Sequence, residues 1–259
     1  MTAPSPSPAP NGLWERPVGR VRLFDAVRGF SVVSMVLFHL CYDLVFIEGV
    51  DVAWFAPPLQ DVWRASISWT FLLVSGWMCS FSHDNLTRSL RYLAVALAIF
   101  AVTSIAAVDD PISFGIIFCI GGATLVDALL GRAHLEPRGL ACAAALLALF
   151  LLTLGVPSRE LGIGPWEVAL PGAWYAHPGL AWLGLPSPGF VSGDYYPLVP
   201  FALIYGVGVA VGRWFSPRGY PRWFLAARCA PLEWVGRHSL PIYVVHQPLL
   251  LGALALLGV

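Results

Sequence analysis

The sequence predicts an all-α polytopic membrane protein, a helical bundle of about seven transmembrane helices. Hydrophobic residues make up 58% of the 259 residues, and the mean hydropathy is +0.72. Only 12% of the residues are charged, against about 25% in a typical soluble domain. The apolar residues also cluster into stretches near the roughly 20 residues that a helix needs to cross a bilayer. This composition excludes a soluble globular protein and a disordered one.

Apolar windows of about 19 residues define seven predicted spans. They cover residues 29–47, 66–82, 90–108, 112–130, 139–156, 196–212 and 239–257. Residues 1–21 begin with a Pro-, Ser- and Ala-rich stretch and are predicted to form a disordered cytoplasmic N-terminal tail. Residues 22–259 are predicted to form one transmembrane domain.

The arginines predict the orientation of the spans. With a cytoplasmic N-terminus, 13 of the 15 basic residues fall on the cytoplasmic side, and only Arg64 and Arg159 lie outside. This strong positive-inside signal predicts a multi-pass protein of the cell (inner) membrane. The net charge of zero gives no reason to expect a nucleic-acid partner. The five cysteines lack the spacing of a metal site, so no metal is predicted.

Four ionisable side chains in the first span and just before it lie along one stripe of the predicted helix. At about 100° per residue, Asp25, Arg28, His39 and Asp43 fall within an arc of about 60°. An ionised side chain at the bilayer centre costs about 2.5–3.5 kcal/mol, so the stripe should line a cavity or pair with other helices. Asp43, one turn from His39, could orient the imidazole for acid–base catalysis. A structural histidine, bonded within the bundle, is the alternative.

A second polar stripe lies in the last span. Ser239, Tyr243, His246 and Gln247 share a face of about 100° at helical spacing. Hydrogen bonds between helices would explain the serine and the tyrosine. His246 and Gln247 also suit a substrate-lining role, and both explanations stay open.

The segment 157–195, between the fifth and sixth spans, is too long for a simple turn. Its aromatic residues fit either a belt at the lipid headgroups or a lid over a binding site. At its end, Asp194 could cap the sixth helix or bind an acceptor together with Tyr195.

Arg88 and Arg91 follow the second span at a spacing of i, i+3. They share a helix face and could bind phosphate oxygens bidentately. Anchoring of the loop on the cytoplasmic side is the simpler alternative.

Several motifs, taken in order along the chain, are specific as a set. They are Phe24-Asp-Ala-Val-Arg-Gly-Phe30 leading to Met35-Val-Leu-Phe-His-Leu-Cys-Tyr-Asp43, then Phe71-Leu-Leu-Val-Ser-Gly76, Ser113-Phe-Gly115, Asp194-Tyr-Tyr-Pro-Leu-Val-Pro200 and Gly236-Arg-His-Ser-Leu-Pro-Ile-Tyr-Val-Val-His-Gln-Pro248. This set resembles the bacterial branch of the heparan-alpha-glucosaminide N-acetyltransferase catalytic-domain family, over about residues 22–248.

The resemblance implies a place in a wider superfamily of membrane acyltransferases, which move an acyl group from cytoplasmic acyl-CoA to a sugar or similar acceptor. Arg28 and His39 are similar to the first-helix motif, whose histidine is the proposed catalytic residue. Arg88 and Arg91 are similarly placed to a pair linked to the CoA end. Phe118 stands where relatives commonly have a histidine.

We therefore expect a membrane-embedded acyltransferase that uses acyl-CoA, in the simplest case acetyl-CoA, and a small-molecule or glycan acceptor with a hydroxyl or amine. His39 would act as general base or acyl carrier, with Asp43 beside it. The expected CoA-binding residues are Arg28, Arg88 and Arg91, and the expected acceptor-binding residues are Asp194, Tyr195, Tyr243, His246 and Gln247. The alternative is a small-solute or proton-coupled transporter with His39 and Asp43 as proton relay. Membrane lipid is the other expected partner, and the oligomeric state stays open.

Overall fold

The structure, a computed structural model, describes residues 14–17, 19–106 and 110–257. It is 70% helical with almost no sheet, which confirms the all-α class. The described helices are α1 (Arg22–Phe46), α2 (Leu59–Trp77), α3 (Asn85–Ile105), α4 (Ile116–Arg132), α5 (Gly139–Leu152), α6 (Leu198–Arg218), α7 (Arg222–Ala226), α8 (Ala230–Arg237) and α9 (Ser239–Leu257). The strands β1 (Trp14–Glu15), β2 (Glu160–Leu161), β3 (Val168–Ala169) and β4 (Tyr220–Pro221) form two antiparallel pairs, β1 with β4 and β2 with β3.

Five stretches within the described residues are long and apolar enough to cross a membrane. They are Arg22–Phe46, Asn85–Ile105, Gly139–Ser158, Leu198–Arg218 and Ser239–Leu257. The predicted count of about seven spans is not confirmed. Helix α4 has 17 residues and rises about 25 Å, less than the roughly 30 Å of a hydrocarbon core. Helix α2 carries charge near its start, where Arg64 donates to Asp61 at 3.0 Å.

Parts of two predicted segments lie outside the described residues. They are most of the predicted tail, 1–21, and the end of the third predicted span, at residue 108. Within the described part of the tail, Trp14 and Glu15 form β1, and the Trp14 ring stacks on Phe215 at a centroid distance of 5.4 Å.

The chain divides into two compact units. Of the described residues, unit one contains 14–17, 19–71 and 215–257, and unit two contains 72–106 and 110–214. The two boundaries fall within helices α2 and α6.

Unit one is organised around α1, which packs against α8 and α9. Glycines make the contact between α1 and α8 close. A Cβ atom on Gly29 would overlap the backbone carbonyl of Leu232, and one on Gly236 would overlap that of Asp25. The two helix backbones therefore meet directly at this crossing. Further along α1 lies a buried core of Met35, Phe38, Phe55 and Ile67.

Unit two contains α3 packed along α4. Asp84 caps α3, because its carboxylate accepts a hydrogen bond from the Thr87 backbone N–H at 3.0 Å. Hydrogen bonds from Thr87 lower the pKa of Asp84 below its ordinary value. The segment before α6 is tied to the start of α4, where the Tyr196 N–H donates to the Phe114 carbonyl at 2.8 Å.

Candidate active site

His39 lies within α1 and is partly exposed. The edge of its ring meets Phe38 at a centroid distance of 5.9 Å. Its other ring neighbour is His246 on α9, at 4.9 Å with the planes inclined by 60°. The two polar stripes predicted on separate spans thus meet in unit one.

The orientation of His246 is fixed by its own helix. The side chain is buried, with 8% of the residue exposed, and Nδ1 lies 2.7 Å from the carbonyl oxygen of Tyr243. A carbonyl oxygen can only accept a hydrogen bond, so Nδ1 carries the proton. In the neutral ring, Nε2 is then the nitrogen with the lone pair.

Asp43 bonds Gln247 in place of the expected hydrogen bond to His39. The Gln247 Nε2 donates to both carboxylate oxygens, at 2.9 and 3.0 Å. A buried carboxylate requires donors of this kind, and Asp43 is 0% exposed. The spacing of Asp43 and His39 on one helix face was correctly predicted from the sequence, but the partner of the carboxylate lies on α9.

Arg28 and Asp25 occupy the beginning of the same stripe. Asp25 is 2% exposed and accepts hydrogen bonds from both Arg20 and Arg28. The charge of Arg28 is therefore compensated within unit one. Its Nε atom is buried without a hydrogen-bond partner among the described residues.

An aromatic cluster borders the two histidines. Phe38 packs on Phe55 and Trp63 at centroid distances of 5.3 and 5.4 Å, and Tyr243 packs against the same core. The Trp63 Nε1–H donates to the Ser34 hydroxyl at 2.7 Å. In such apolar surroundings, charges interact more strongly than in water. The Asp43 carboxylate lies within electrostatic reach of His246.

Arg88 and Arg91, two of the three arginines predicted to bind CoA, lie in unit two and have different environments. Arg88 is half-buried, and its Nη2 donates to the Ser75 carbonyl at 3.0 Å. Its guanidinium lies 5.7 Å from the centroid of the Tyr92 ring. No carboxylate of the described ranges forms an ion pair with Arg88. Arg91, three residues later, is exposed.

Asp194 caps a different helix from the one predicted. Its Oδ2 accepts a hydrogen bond from the Ile116 backbone N–H at 2.9 Å, at the start of α4 rather than α6. Tyr195 donates to the carbonyl of Ala181 at 2.6 Å, and burial raises the pKa of its phenol. Both side chains therefore hold the segment before α6 in place. Phe118 packs edge-on against Phe114 at 5.0 Å.

Unit two also contains buried polar groups that were not predicted from the sequence as site residues. The Tyr205 hydroxyl lies 2.6 Å from the Thr124 hydroxyl and 2.8 Å from the Cys79 thiol. Arg213 makes two hydrogen bonds to Asp127, at 2.7 and 3.0 Å. Apart from the charges of Asp127 and Arg213, nothing in the sequence distinguishes these residues from packing residues within apolar windows.

Unit one thus brings two imidazoles into ring contact, with a buried carboxylate on the same helix as His39. No group of three or more His, Cys, Asp or Glu side chains in the described ranges could hold a metal ion.

The catalytic family model of heparan-alpha-glucosaminide N-acetyltransferase matches residues 20–248. No curated protein and no solved structure matches the chain.

Proposed function

Because the chain belongs to the heparan-alpha-glucosaminide N-acetyltransferase catalytic family, we propose that it transfers an acetyl group from acyl-CoA to a hydroxyl or amine acceptor, with His39 as the general base. Family membership makes the protein a transferase, and its apolar helices make it a membrane protein. We also propose that the protein belongs to the bacterial branch of this family, that it lies in the inner membrane and that its N-terminus is cytoplasmic.

The contact between His39 and His246 carries this proposal. A general base must be reachable by its substrate and must have a lone pair to offer. His39 is partly exposed, and the His246 ring beside it has its lone pair on Nε2 when it is neutral. The Arg28 and Asp25 pair, which would otherwise bring charge to this stripe, is already neutralised.

The proposed reaction conserves protons. The acceptor oxygen or nitrogen attacks the thioester carbonyl while His39 takes its proton. The new bond to the acyl carbon forms, the carbon–sulfur bond breaks, and the leaving thiolate of CoA receives the proton from His39. A second route has His39 itself accept the acyl group before the acceptor does. Tyr243, His246 and Gln247 lie on the neighbouring helix and are the proposed acceptor-lining residues of unit one.

Arg88 is the residue of unit two best suited to a CoA phosphate. A half-buried guanidinium that pairs with no carboxylate of the described residues favours an anionic ligand, because an uncompensated charge out of water is costly. Arg91 and Arg28 are proposed as weaker contributors, since Arg91 is exposed and Arg28 is paired with Asp25. Asp194 and Tyr195 remain proposed acceptor contacts in addition to their structural bonds.

The test uses purified full-length protein in detergent with acetyl-CoA as donor and glucosamine, which offers hydroxyls and an amine, as acceptor. Release of CoA thiol is measured for the wild type, His39→Asn and His238→Asn. His238 is a matched control, because it is an exposed histidine whose Nδ1 also lies near a backbone carbonyl, that of Trp234.

We expect His39→Asn to lower kcat by at least about a hundredfold while leaving acetyl-CoA binding intact, and His238→Asn to behave like the wild type. A wild-type protein that neither binds nor consumes acetyl-CoA would refute the acyltransferase proposal. Uptake of solute by vesicles containing that inactive protein would support the transporter instead.

A further inference from the structure

We propose that His246 is the positioning residue for His39: it accepts a hydrogen bond from the His39 ring and so determines which His39 nitrogen serves as the base. This inference rests on the proposed function. It gives to His246 the orienting role that the sequence spacing suggested for Asp43.

The Tyr243 carbonyl determines the tautomer of His246. Its oxygen lies 2.7 Å from Nδ1 of His246, which fixes the proton on Nδ1 and leaves the lone pair on Nε2. His246 in this tautomer is an acceptor at Nε2. An acceptor beside a neutral imidazole selects the tautomer whose N–H points at it, because only that tautomer can form the hydrogen bond.

The His39 and His246 rings are in contact. His39 and His246 are neighbours at 4.9 Å between centroids, and their planes are inclined by 60°. The contact between these two described side chains is edge-to-face. A rotation of the His39 ring would turn one of its nitrogens toward His246, and catalytic hydrogen bonds often tighten in this way only when substrate binds. The other His39 nitrogen would then present its lone pair to the acceptor.

Asp43 is hydrogen-bonded to Gln247. Both of its carboxylate oxygens accept from that amide, and no hydrogen bond joins Asp43 to His39 among the described residues, so the carboxylate acts on the pair through its charge. Among the described residues, the titratable groups near the pair include Asp43 on α1, with Glu48 near it, and Tyr243 on α9. When His39 takes up a proton, the lone pair of His246 accepts a hydrogen bond from the charged ring, and the Asp43 carboxylate lies within electrostatic reach of His246.

Two substitutions of His246 separate this role from a structural one. His246→Asn places an amide near the position of Nδ1, so it keeps a donor for the Tyr243 carbonyl and removes the acceptor at Nε2. His246→Gln places an amide oxygen near the position of Nε2, so it keeps an acceptor for His39 and loses the bond to Tyr243. A purely structural role predicts that Asn is the better replacement, and the positioning role predicts Gln.

With acetyl-CoA and glucosamine as substrates, we expect His246→Asn to lower kcat at least about tenfold, with the KM for acetyl-CoA nearly unchanged. His246→Gln should recover most of the lost rate, and His238→Asn should retain the wild-type rate. An unchanged kcat in His246→Asn would overturn the inference, as would a higher rate for Asn than for Gln.

The failure of the proposed function has a different signature, because wild-type protein would then show no turnover before any variant is compared, and the inference would fail with it. Nitrogen-15 NMR of labelled histidine provides a check without turnover. We expect His246 to be protonated at Nδ1 in its neutral form, and protonation at Nε2 alone would overturn the inference.

Discussion

Asp43 on α1 and Gln247 on α9 are joined by two hydrogen bonds, with the amide nitrogen 2.9 and 3.0 Å from the carboxylate oxygens. The two residues are 204 positions apart in the chain. Asp43 is fully buried, so this amide supplies the side-chain donors that the carboxylate needs. The pair therefore links the helix of His39 to the helix of His246.

Replacement of Gln247 by Leu should destabilise the protein by about 1–3 kcal/mol, because it leaves a buried carboxylate without its donor. The free energy of unfolding is measured by denaturation with SDS in mixed micelles. The double variant Asp43→Leu/Gln247→Leu should be less destabilised than Gln247→Leu alone, since both polar groups are then removed. If Gln247→Leu unfolds like the wild type, the hydrogen bonds do not contribute to stability.

The stripe of α1 was predictable because helical periodicity is a local property. Asp25, Arg28, His39 and Asp43 lie on one face whatever surrounds the helix. Their partners were not predictable. The contact of His39 with His246 and the bonds of Asp43 to Gln247 depend on how α1 and α9 pack against each other. No residue spacing in a single sequence reveals that packing.

The unit-two residues show the same limit. Arg88 and Arg91 looked equivalent in the sequence, yet one donates to a backbone carbonyl and the other is exposed. Asp194 has the right residue type and position to cap the helix that follows it, but tertiary packing brings it to the start of α4. Hydropathy windows located the apolar stretches but not the ends of helices, and α2 begins at Leu59 rather than at 66.

Alanine at Gly29 or Gly236 should destabilise unit one, because the added Cβ atom would overlap a backbone carbonyl of the facing helix. We expect a loss of at least about 1–3 kcal/mol, the usual cost of overpacking. Gly252→Ala in α9 is the matched control, since no atom of a neighbour lies within 4 Å of its Cβ position. The measurement is the melting temperature in detergent, and equal melting of all three variants would contradict the close contact.

Arg88→Gln should weaken CoA binding by about ten- to a hundredfold, the loss expected for a charge-assisted hydrogen bond to phosphate of about 1.5–3 kcal/mol. Arg91→Gln should have a smaller effect, because its exposed side chain is already solvated. Calorimetric titration with CoA measures both dissociation constants, and size-exclusion chromatography confirms that each variant is folded. Equal losses in the two variants would mean that the difference in burial has no role in binding.

Asp194→Asn should lower the free energy of unfolding by about 0.5–2 kcal/mol, because a charged acceptor is lost at the N-terminus of α4. Asp84→Asn, which removes the charge of the exposed cap of α3, serves for comparison. If Asp194 acts only as a cap, the KM for glucosamine stays at the wild-type value. A raised KM in a variant of normal stability would show instead that the carboxylate contacts the acceptor.

Removal of one partner of the ion pair between Arg213 and Asp127 should lower the free energy of unfolding strongly. Asp127 is 4% exposed, and the arginine holds it through two hydrogen bonds. Breaking a buried pair by removing one partner typically costs about 3–5 kcal/mol, since the remaining charge is left uncompensated out of water.

The exposed pair of Arg64 with Asp61 is the control for this prediction. It has a similar distance, 3.0 Å, but its side chains are solvated, and exposed pairs contribute about 0–1 kcal/mol. Unfolding in SDS should therefore show a large loss for Arg213→Ala and almost none for Arg64→Ala. Similar losses in both variants would mean that burial does not control the strength of these pairs.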